Sequence, residues 1–472
     1  MSKFEDNNTP STHQAKDANG LKNPLTKAAV VVPILPERFN SNIAGEETTK
    51  PRFERSNDAR LEEAKGLARA INLDIVFAEA IIVNMPRPAT LLGVGKVEEI
   101  AEMIKERDIE LVIVDHSLTP VQQRNLEKEW NIKVIDRTGL ILEIFGERAR
   151  TKEGTLQVEL AHLNYQKGRL VRSWTHLERQ RGGSGFLGGP GETQLEADRR
   201  IIQEKILRIQ RELKTVVRTR NLHRQKRRKV PHPIVALVGY TNAGKSTLFN
   251  RMTGADVLAE DMLFATLDPT LRRIRLPHGE MVILSDTVGF ISNLPHHLVA
   301  AFRATLEEVV EADLILHVRD ISDPDNAAQS EDVETILSSL GIKANDQKRL
   351  IEVWNKIDNL DESGRETALR LAAAGSDEVR PIPVSALTGE GVDKLLAVIE
   401  TRIAGKLITA ELVLSPFELH LLDWIYQHGS DIRRDDLEDG AVRIQVTLTE
   451  NAQRMLNDMR SNQSDGPELD EG

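Results

Sequence analysis

The sequence of 472 residues predicts an α/β protein of several domains. Apolar strand patterns alternate with helical patterns in two stretches, 28–147 and 230–405, and two long heptad patterns lie between them in 148–229. The first stretch predicts a small parallel α/β domain, the second a larger α/β domain, and the heptads an antiparallel helical hairpin. An amphipathic helical pattern from Pro416 to Gln427 and an alternating strand from Ala441 to Leu448 predict a small α+β domain at 406–460.

Composition excludes several classes of protein. Apolar residues make up 40% and charged residues 29% of the chain, as in ordinary globular proteins, and a net charge of −11 excludes a uniformly basic nucleic-acid binder. Without cysteine, neither a disulfide framework nor a thiolate metal site can form. No apolar run approaches the roughly 20 residues of a membrane span, and no signal peptide is evident, so a cytoplasmic location without membrane insertion is expected. The polar ends, 1–27 and the acidic 461–472, are expected to be disordered.

The N-terminal α/β domain is predicted from short segments that alternate between strand and helix. They are Ile75 to Ile82, Lys96 to Arg107, Leu111 to Asp115, Val121 to Trp130 and Val134 to Asp136. Strands separated by helices predict a parallel sheet with helices on its faces. The segment Gly93-Val-Gly-Lys96 is either a second phosphate site or a tight turn into a helix, and the missing third glycine and terminal Ser or Thr favour the turn.

The hairpin is predicted from two heptad seams. Its members are Leu156, Leu160, Leu163, Leu170, Trp174 and Leu177, then Leu195, Ile202, Ile206, Ile209, Leu213 and Val216. Seams of matching length with a short connection favour two antiparallel helices, and the alternative is two helices packed separately on the globular domains. The connection, 181–192, holds six glycines, which is typical of a tip that orders against a partner. Phe186 in this tip either stacks on that partner or packs on the hairpin.

The second helix carries a basic patch. Between residues 199 and 229 there are 13 Lys or Arg and only two acidic residues, Glu204 and Glu212. Within an acidic protein this indicates a surface for a phosphate backbone, and RNA is favoured because no DNA-reading module is present. The alternative is an ordinary solvated helix face.

The larger α/β domain begins with a glycine-rich loop between the apolar strand 234–238 and the start of a helix. In this context the loop predicts phosphate binding, because its N–H groups and the helix N-terminus face the phosphates. Lys245 is expected to reach the β- and γ-phosphates, and the Ser246 hydroxyl to ligate Mg²⁺. The loop residues predicted to bind nucleotide are Gly239, Tyr240, Thr241, Asn242, Ala243, Gly244, Lys245, Ser246 and Thr247.

Three further motifs follow apolar strands, where open α/β sheets bind their ligands. The first predicts a carboxylate, Asp286, that holds Mg²⁺ through water, and a glycine, Gly289, that senses the γ-phosphate. The second and third of these motifs are expected to lie around the base: Asn355 braces the loops, the Lys356 stem covers one face of the base, and the Ala386 N–H meets O6. The residues of these motifs are Asp286, Thr287, Val288, Gly289, Asn355, Lys356, Ile357, Asp358, Ser385, Ala386 and Leu387.

The Asp358 carboxylate indicates which base the bound nucleotide carries. A carboxylate can accept from both N1–H and the 2-amino group of guanine, whereas adenine leaves it unpaired. The nucleotide is therefore expected to be GTP or GDP, not ATP, and the domain is a P-loop GTPase.

With these motifs the chain resembles the HflX family of translational GTPases over nearly its whole length. The most specific match is the hairpin string from Arg181 to Arg200, which contains Gly-Gly-Ser-Gly-Phe-Leu-Gly-Gly-Pro-Gly-Glu-Thr-Gln-Leu-Glu. The resemblance implies binding to the large (50S) ribosomal subunit and its rRNA, with a role in ribosome splitting, rescue or biogenesis. It also implies a first switch formed by Phe264, Ala265, Thr266, Leu267 and Asp268, with Thr266 as a Mg²⁺ ligand; spacing alone does not separate Thr266 from Thr270.

The expected catalytic residues are Lys245, Thr266 and Gly289. Phe290 stands where many GTPases have a glutamine that orients water, so slow intrinsic hydrolysis is expected. Asn242 either helps to hold a K⁺ ion, as in several related GTPases, or only braces a loop. A monomer is expected. Two other functions remain open: a non-enzymatic RNA chaperone or assembly scaffold that holds GTP as a structural ligand, and a signalling switch with a protein partner.

Overall fold

The computed structural model describes residues 25–36, 55–180, 190–227, 232–255, 263–264, 266–267, 269–292, 303–343, 346, 348–374, 380–437 and 439–464. Side chains are not described at 171–180, 190–195, 220–227, 303–305 and 462–464. Several predictions lie outside the described residues: the polar ends 1–24 and 465–472, Phe186 with the tip at 181–189, and the first-switch residues Ala265 and Asp268.

The described elements alternate as an α/β chain requires. The strands are β1 (Lys27–Ile34), β2 (Asp74–Ile82), β3 (Leu111–Val114), β4 (Lys133–Asp136), β5 (Ile234–Val238), β6 (Thr270–Arg275), β7 (Met281–Asp286), β8 (Leu314–Asp320), β9 (Leu350–Asn355), β10 (Ile382–Pro383), β11 (Leu407–Leu414), β12 (Ser430–Asp436) and β13 (Val442–Thr449). The helices are α1 (Asn57–Arg69), α2 (Val94–Glu106), α3 (Pro120–Trp130), α4 (Arg137–Arg148), α5 (Lys152–Gln180), α6 (Pro190–Arg227), α7 (Lys245–Thr253), α8 (Arg303–Glu311), α9 (Asn326–Ser339), α10 (Glu362–Ala374), α11 (Val392–Ala404), α12 (Leu421–His428) and α13 (Glu450–Ser464).

The N-terminal sheet is parallel throughout, with strand order β2-β1-β3-β4. Its central strand β1 is apolar at nearly every position because both faces are covered. Ala29 and Val31 pack with α2 and α3, while Val30 and Val32 pack with α1 and α4. The sequence predicted β2, β3 and β4 of this parallel sheet but missed the central strand β1 and the helices α1 and α4, which supply the second face.

The two long helices α5 and α6 pack along the predicted seam. Leu156, Leu163, Ile206 and Ile209 are buried between them, and Leu160, Ile202, Leu213 and Val216 pack against this cluster. The described half of the hairpin is therefore held by heptad contacts. Its base is fixed to the N-terminal domain by Asp136, which accepts from Tyr165 Oη at 2.6 Å and from Arg169 Nη2 at 2.6 Å.

The nucleotide domain has a six-stranded sheet in the order β10-β9-β8-β5-β7-β6. All its strands are parallel except β6, an edge strand that is antiparallel to β7. The central position of β5 brings the loops that follow β5, β7, β9 and β10 to one edge of the sheet. The predicted nucleotide motifs lie in those loops.

The C-terminal domain is a three-stranded antiparallel sheet, β11-β13-β12, covered by α12 and α13. The helix predicted from Pro416 begins later, at Leu421, because Ser415 and Glu418 form a capping box around a separate 3₁₀ turn, Pro416–Glu418. Helix α13 runs into the stretch predicted as an acidic tail, since Ala452 and Leu456 are buried against the sheet. The limits between the domains stay predictions.

The N-terminal and nucleotide domains share one apolar core. Residues of β1, α1 and α4 belong to the same buried cluster as Val238, Phe264 and Phe290 of the nucleotide domain. Contacts across such a core are fixed by packing. Within the described part of the chain, no helix is both long and apolar enough to cross a membrane.

Candidate nucleotide site

The phosphate loop connects β5 to α7 through positions that only glycine fits. A Cβ on Gly239 would lie 2.1 Å from the Val318 carbonyl oxygen. Gly244 has a φ of 86° and leaves room for Asn355, whose Nδ2 would lie 2.3 Å from an added Cβ. Asn242 also has a left-handed φ, 60°, and its side chain is exposed. The loop therefore has the curled shape that its glycines predicted.

Lys245 begins α7 and lies under the loop. Its side chain is buried, and Nζ donates to the Tyr240 carbonyl oxygen at 2.7 Å. Burial lowers the pKa of Lys245 to about 8, and the Asp286 carboxylate offsets only part of this. An anion bound in the loop would favour the charged amine. Gly289 lies against it, since a Cβ there would be 3.0 Å from Lys245 Nζ.

Three oxygen-bearing side chains, those of Ser246, Thr266 and Asp286, converge beside the loop. Ser246 Oγ donates to Asp286 Oδ2 at 2.7 Å, Thr266 Oγ1 donates to the same oxygen at 2.9 Å, and the two hydroxyls are 3.0 Å apart. Asp286 is fully buried, and its Oδ1 has no hydrogen-bond partner among the described residues. Burial raises the pKa of Asp286, although the Ser246 hydroxyl and Lys245 act against this. A buried carboxylate with hydroxyl neighbours fits a hard divalent cation such as Mg²⁺. Thr266, and not Thr270 of β6, belongs to this group.

The base side of the site is built around Asn355. Its Nδ2 donates to the Ala243 carbonyl oxygen at 2.8 Å, and its Oδ1 accepts from the Ala386 N–H at 3.0 Å. Asn355 therefore joins the phosphate loop to the loop that contains Ser385 and Ala386. Because the Ala386 N–H already has a partner, contact with guanine O6 requires a shared hydrogen bond, and this contact stays a prediction.

Asp358 and Lys356 flank the same space. Asp358 Oδ1 is buried and has no hydrogen-bond partner in the described structure. An acceptor in this state suits a ligand that brings N–H donors. Lys356 has a left-handed φ of 63°, and its Nζ pairs with Asp320 at 2.7 Å. Its Cε lies 3.9 Å from the place of a Gly244 Cβ, so the stem passes over the phosphate loop.

Several predicted residues have apolar side chains, which offer no polar group to a nucleotide. Phe264 and Leu267 of the first switch, Val288, and Ile357 have buried apolar side chains, while Leu387 is exposed. Phe264 packs edge-on against Phe145 of α4, with ring centroids 4.8 Å apart. The side chains of Phe264 and Leu267 therefore belong to the apolar core shared by the two domains.

Residues 286–292, which begin with the last residue of β7 and are called the second switch, are joined to the phosphate loop by backbone hydrogen bonds. The Thr241 N–H donates to the Phe290 carbonyl oxygen at 2.7 Å, and the Phe290 N–H donates to the Gly239 carbonyl oxygen at 3.0 Å. Phe290 is 1% exposed and packs in the shared core. It has no polar group for orienting water, as the sequence indicated.

Arg251, in the last turn of α7, is a residue that the sequence analysis missed. Its Nε donates to the Ala386 carbonyl oxygen at 3.2 Å, and its Nη2 donates to the Leu387 carbonyl oxygen. Arg251 therefore stabilises the loop that contains Ser385 and Ala386 through two of its carbonyl oxygens. A basic residue near a helix C-terminus is too common to signal this role.

Family models match four successive parts of the chain. They are described as the N-terminal region of a GTP-binding GTPase at residues 58–146, its middle region at 148–227, a 50S ribosome-binding GTPase at 234–356, and the HflX C-terminal domain at 368–468.

Curated relatives match most of the chain. The GTPase HflX of Magnetococcus marinus is 53% identical over 354 residues, which cover 75% of this chain and 80% of the relative. The GTPase HflX of Escherichia coli is 45% identical over 413 residues, covering 87% and 95%. Among solved structures, a GTP-binding protein of Sulfolobus solfataricus in complex with GDP covers 80% of this chain and 98% of its own, at 22% identity and a TM-score of 0.42, too distant to add to the assignment. The chain therefore belongs to the HflX family of GTPases, and its reaction is GTP hydrolysis.

Proposed function

We propose that this GTPase binds the large (50S) ribosomal subunit under the control of its bound nucleotide, and that it acts in ribosome splitting, rescue or biogenesis. The observation that carries the proposal is the exposed basic face of α6. The description of the model matching 234–356, a 50S ribosome-binding GTPase, supports the same partner.

The basic face of α6 consists of exposed cations along its described side chains: Arg199, Arg200, Lys205, Arg208, Arg211, Lys214 and Arg218. Between residues 199 and 218 only Glu204 and Glu212 oppose them, each 3.9 Å from an arginine at the solvent surface, while Glu196 and Asp198 are exposed just before Arg199. Exposed ion pairs of this length contribute little and leave most of the positive charge available. In a chain of net charge −11, this concentration of cations suits a phosphate backbone such as that of rRNA.

The chemistry at the nucleotide site is assigned as follows. Ser246, Thr266 and Asp286, the last through water, would hold Mg²⁺, which would neutralise charge that develops on the phosphates. Lys245 reaches the β- and γ-phosphates, and the Gly289 N–H donates to the γ-phosphate. Asp358 accepts from guanine N1–H and its 2-amino group, while Asn355 keeps the two loops in place.

Charge reversal on α6 tests ribosome binding. The triple variant Arg208→Glu, Arg211→Glu and Lys214→Glu is expected to bind 50S subunits more weakly in cosedimentation, with a smaller dependence on salt. Each lost phosphate contact should reduce the slope of log K against log salt by about 0.7 to 0.9. Basal GTP hydrolysis should be unchanged, because these side chains lie away from the nucleotide site.

The matched control reverses three exposed lysines elsewhere, Lys105, Lys128 and Lys394. It makes the same change in net charge but leaves the basic face of α6 intact, so its affinity for 50S subunits should stay close to that of the unmodified protein. Equal loss of affinity in both variants, or no loss in the α6 variant, would show that the basic face of α6 is an ordinary solvated surface that does not bind the ribosome.

The non-enzymatic scaffold is the alternative to this function. The relatives are GTPases by name, which favours turnover over a purely structural use of GTP. GTP hydrolysis measured with ribosomes separates the two, because a scaffold binds GTP tightly without hydrolysing it.

A further inference from the structure

A buried charge cluster lies where α1 and α4 of the N-terminal domain meet the nucleotide domain. Glu63 of α1 is its centre. Glu63 Oε1 accepts from Arg137 Nη2 at 2.6 Å, and Oε2 accepts from Arg55 Nη1 at 2.6 Å and from the Tyr240 hydroxyl. The Glu63 and Arg137 side chains are only 6% and 7% exposed. A carboxylate buried between two guanidinium groups is held in place by both, and removing it would leave their charges buried without a partner.

The other side of the cluster is Ser292, in the second switch. The Ser292 N–H donates to Tyr240 Oη at 2.9 Å, and its carbonyl oxygen accepts from Arg137 Nη2 at 2.9 Å. Its hydroxyl accepts from Arg55 Nη1 at 2.9 Å. The backbone of Ser292 is thus held on one side by the phosphate loop and on the other by the N-terminal domain.

Charge states in the cluster are fixed near neutral pH. Burial alone would raise the pKa of Glu63, but Arg137 and Arg55 outweigh it and lower the pKa to about 2. Burial and the Glu63 charge raise the pKa of Tyr240, so its hydroxyl keeps its proton and donates it to Glu63. The same oxygen is then free to accept from Ser292, which gives the cluster a defined hydrogen-bond direction.

Ser292 contacts the N-terminal domain at the carboxyl ends of its parallel strands. Arg137 follows β4 directly, and Asp115, which pairs with Arg137, follows β3. The carboxyl ends of parallel strands form the edge where open α/β sheets bind ligands. In this protein that edge binds the second switch of its own nucleotide domain.

Ser292 is joined to Gly289 by a short and tightly packed segment. Phe290 and Ile291 lie between it and Gly289, and each is 1% exposed. Phe290 is also hydrogen-bonded to the phosphate loop on both sides. A shift of Ser292 therefore has to move Gly289 relative to Lys245 or break this packing.

We propose that Tyr240 and Arg137 are positioning residues for GTP hydrolysis, which hold Ser292 so that Gly289 stays in place against Lys245. By the same contacts, binding of the γ-phosphate and docking of the N-terminal domain favour each other, because coupling between two sites is reciprocal. The proposal requires GTPase activity only and is independent of ribosome binding.

Tyr240→Phe tests it most cleanly. The variant keeps the buried ring but removes the oxygen that accepts from the Ser292 N–H. The kcat for GTP hydrolysis is expected to fall about tenfold, the equivalent of one buried N–H left unpaired. GDP affinity should change less than about twofold, because a nucleotide without a γ-phosphate does not need Gly289. The preference for a non-hydrolysable GTP analogue over GDP should fall accordingly.

Tyr165→Phe is the matched control. It removes a half-buried hydroxyl that also donates to a carboxylate, that of Asp136, at 2.6 Å, but at the base of the hairpin. Both variants should lose thermal stability, and only Tyr240→Phe should lose kcat and γ-phosphate preference. Equal kcat in the two variants, or a loss of GDP affinity as large as that of the GTP analogue, would overturn the proposal and leave the cluster a structural contact.

Amide hydrogen exchange tests the second part of the proposal, that binding of the γ-phosphate and docking of the N-terminal domain favour each other. In the unmodified protein, amides of α1 should exchange more slowly with the GTP analogue than with GDP, and Tyr240→Phe should reduce this difference. Identical exchange rates of the α1 amides with both nucleotides would contradict the proposed coupling. Arg137→Lys, which keeps the charge and one donor, should retain more kcat than Arg137→Gln, and equal loss in both would exclude Arg137 as a positioning residue.

Discussion

The Asp358 carboxylate presents a buried oxygen with no hydrogen-bond partner in the described structure. Guanine supplies two donors to such a group. Asp358→Asn places an amide donor where xanthine presents a carbonyl, so the variant is expected to prefer XTP over GTP. The loss in GTP binding should be about 2 to 4 kcal/mol. Competition between GTP and XTP for binding measures both the base preference and the loss of GTP affinity.

Asp361→Asn serves as the control for this change. Asp361 Oδ1 accepts from the Gly364 N–H at 2.8 Å, and an asparagine can make the same contact. This variant should keep its preference for GTP. A preference for GTP retained by Asp358→Asn as well would assign base selection to another residue.

Phe290 replaces the glutamine that orients water in many GTPases, so another group has to assist hydrolysis, and Asn242 is the candidate. Its exposed side chain lies in the phosphate loop with φ of 60°, and the Phe290 side chain is buried in the shared core. If a K⁺ ion bound near Asn242 supplies positive charge, hydrolysis in K⁺ should be faster than in Na⁺ at equal ionic strength. Asn242→Ala should erase the difference without changing GDP affinity. Equal rates in both salts would leave Asn242 a brace of the loop.

At the scale of elements, helix α1 contributes stability that depends on pH. Glu63 faces Arg137, Arg55 and Tyr240, and its pKa is lowered from 4.5 to about 2. The contribution is therefore complete above about pH 4.5 and is lost as the pH falls toward 2, on the order of 3 kcal/mol in total. Chemical unfolding of Glu63→Gln between pH 7 and 3 should show a weaker pH dependence than that of the unmodified protein.

Glu62→Gln is the neighbouring control. Glu62 pairs with Lys65 at the surface, so its replacement should leave the pH dependence almost unchanged. An unchanged profile for Glu63→Gln would show that the buried pairing does not stabilise the folded state relative to the unfolded one.

The elements also show what sequence patterns can predict. The phosphate loop and the motifs at Asp286, Asn355 and Ser385 are local, because each side chain follows its own strand by a few positions. Helix α1 was missed, and with it the charge cluster, since Glu63 and Tyr240 are 177 positions apart and no spacing rule joins them. The 3₁₀ turn before α12 was read as helix because its apolar residues continue the helical period.

At the scale of the whole molecule, two adjacent residues connect the nucleotide domain to the hairpin. Arg137 binds Ser292 of the second switch, and Asp136 binds Tyr165 and Arg169 of α5. The shared apolar core includes Phe264 of the first switch, which packs on α4. Movement of either switch therefore has a direct physical route to the helices that carry the basic face.

Cosedimentation with separated ribosomal subunits tests the central claim, GTP-controlled binding to the large subunit, most directly. The unmodified protein is mixed with each purified subunit in the presence of GDP or a non-hydrolysable GTP analogue. The account predicts binding to the large subunit alone, and tighter binding with the analogue than with GDP. Equal binding with the two nucleotides, or binding to the small subunit instead, would contradict it.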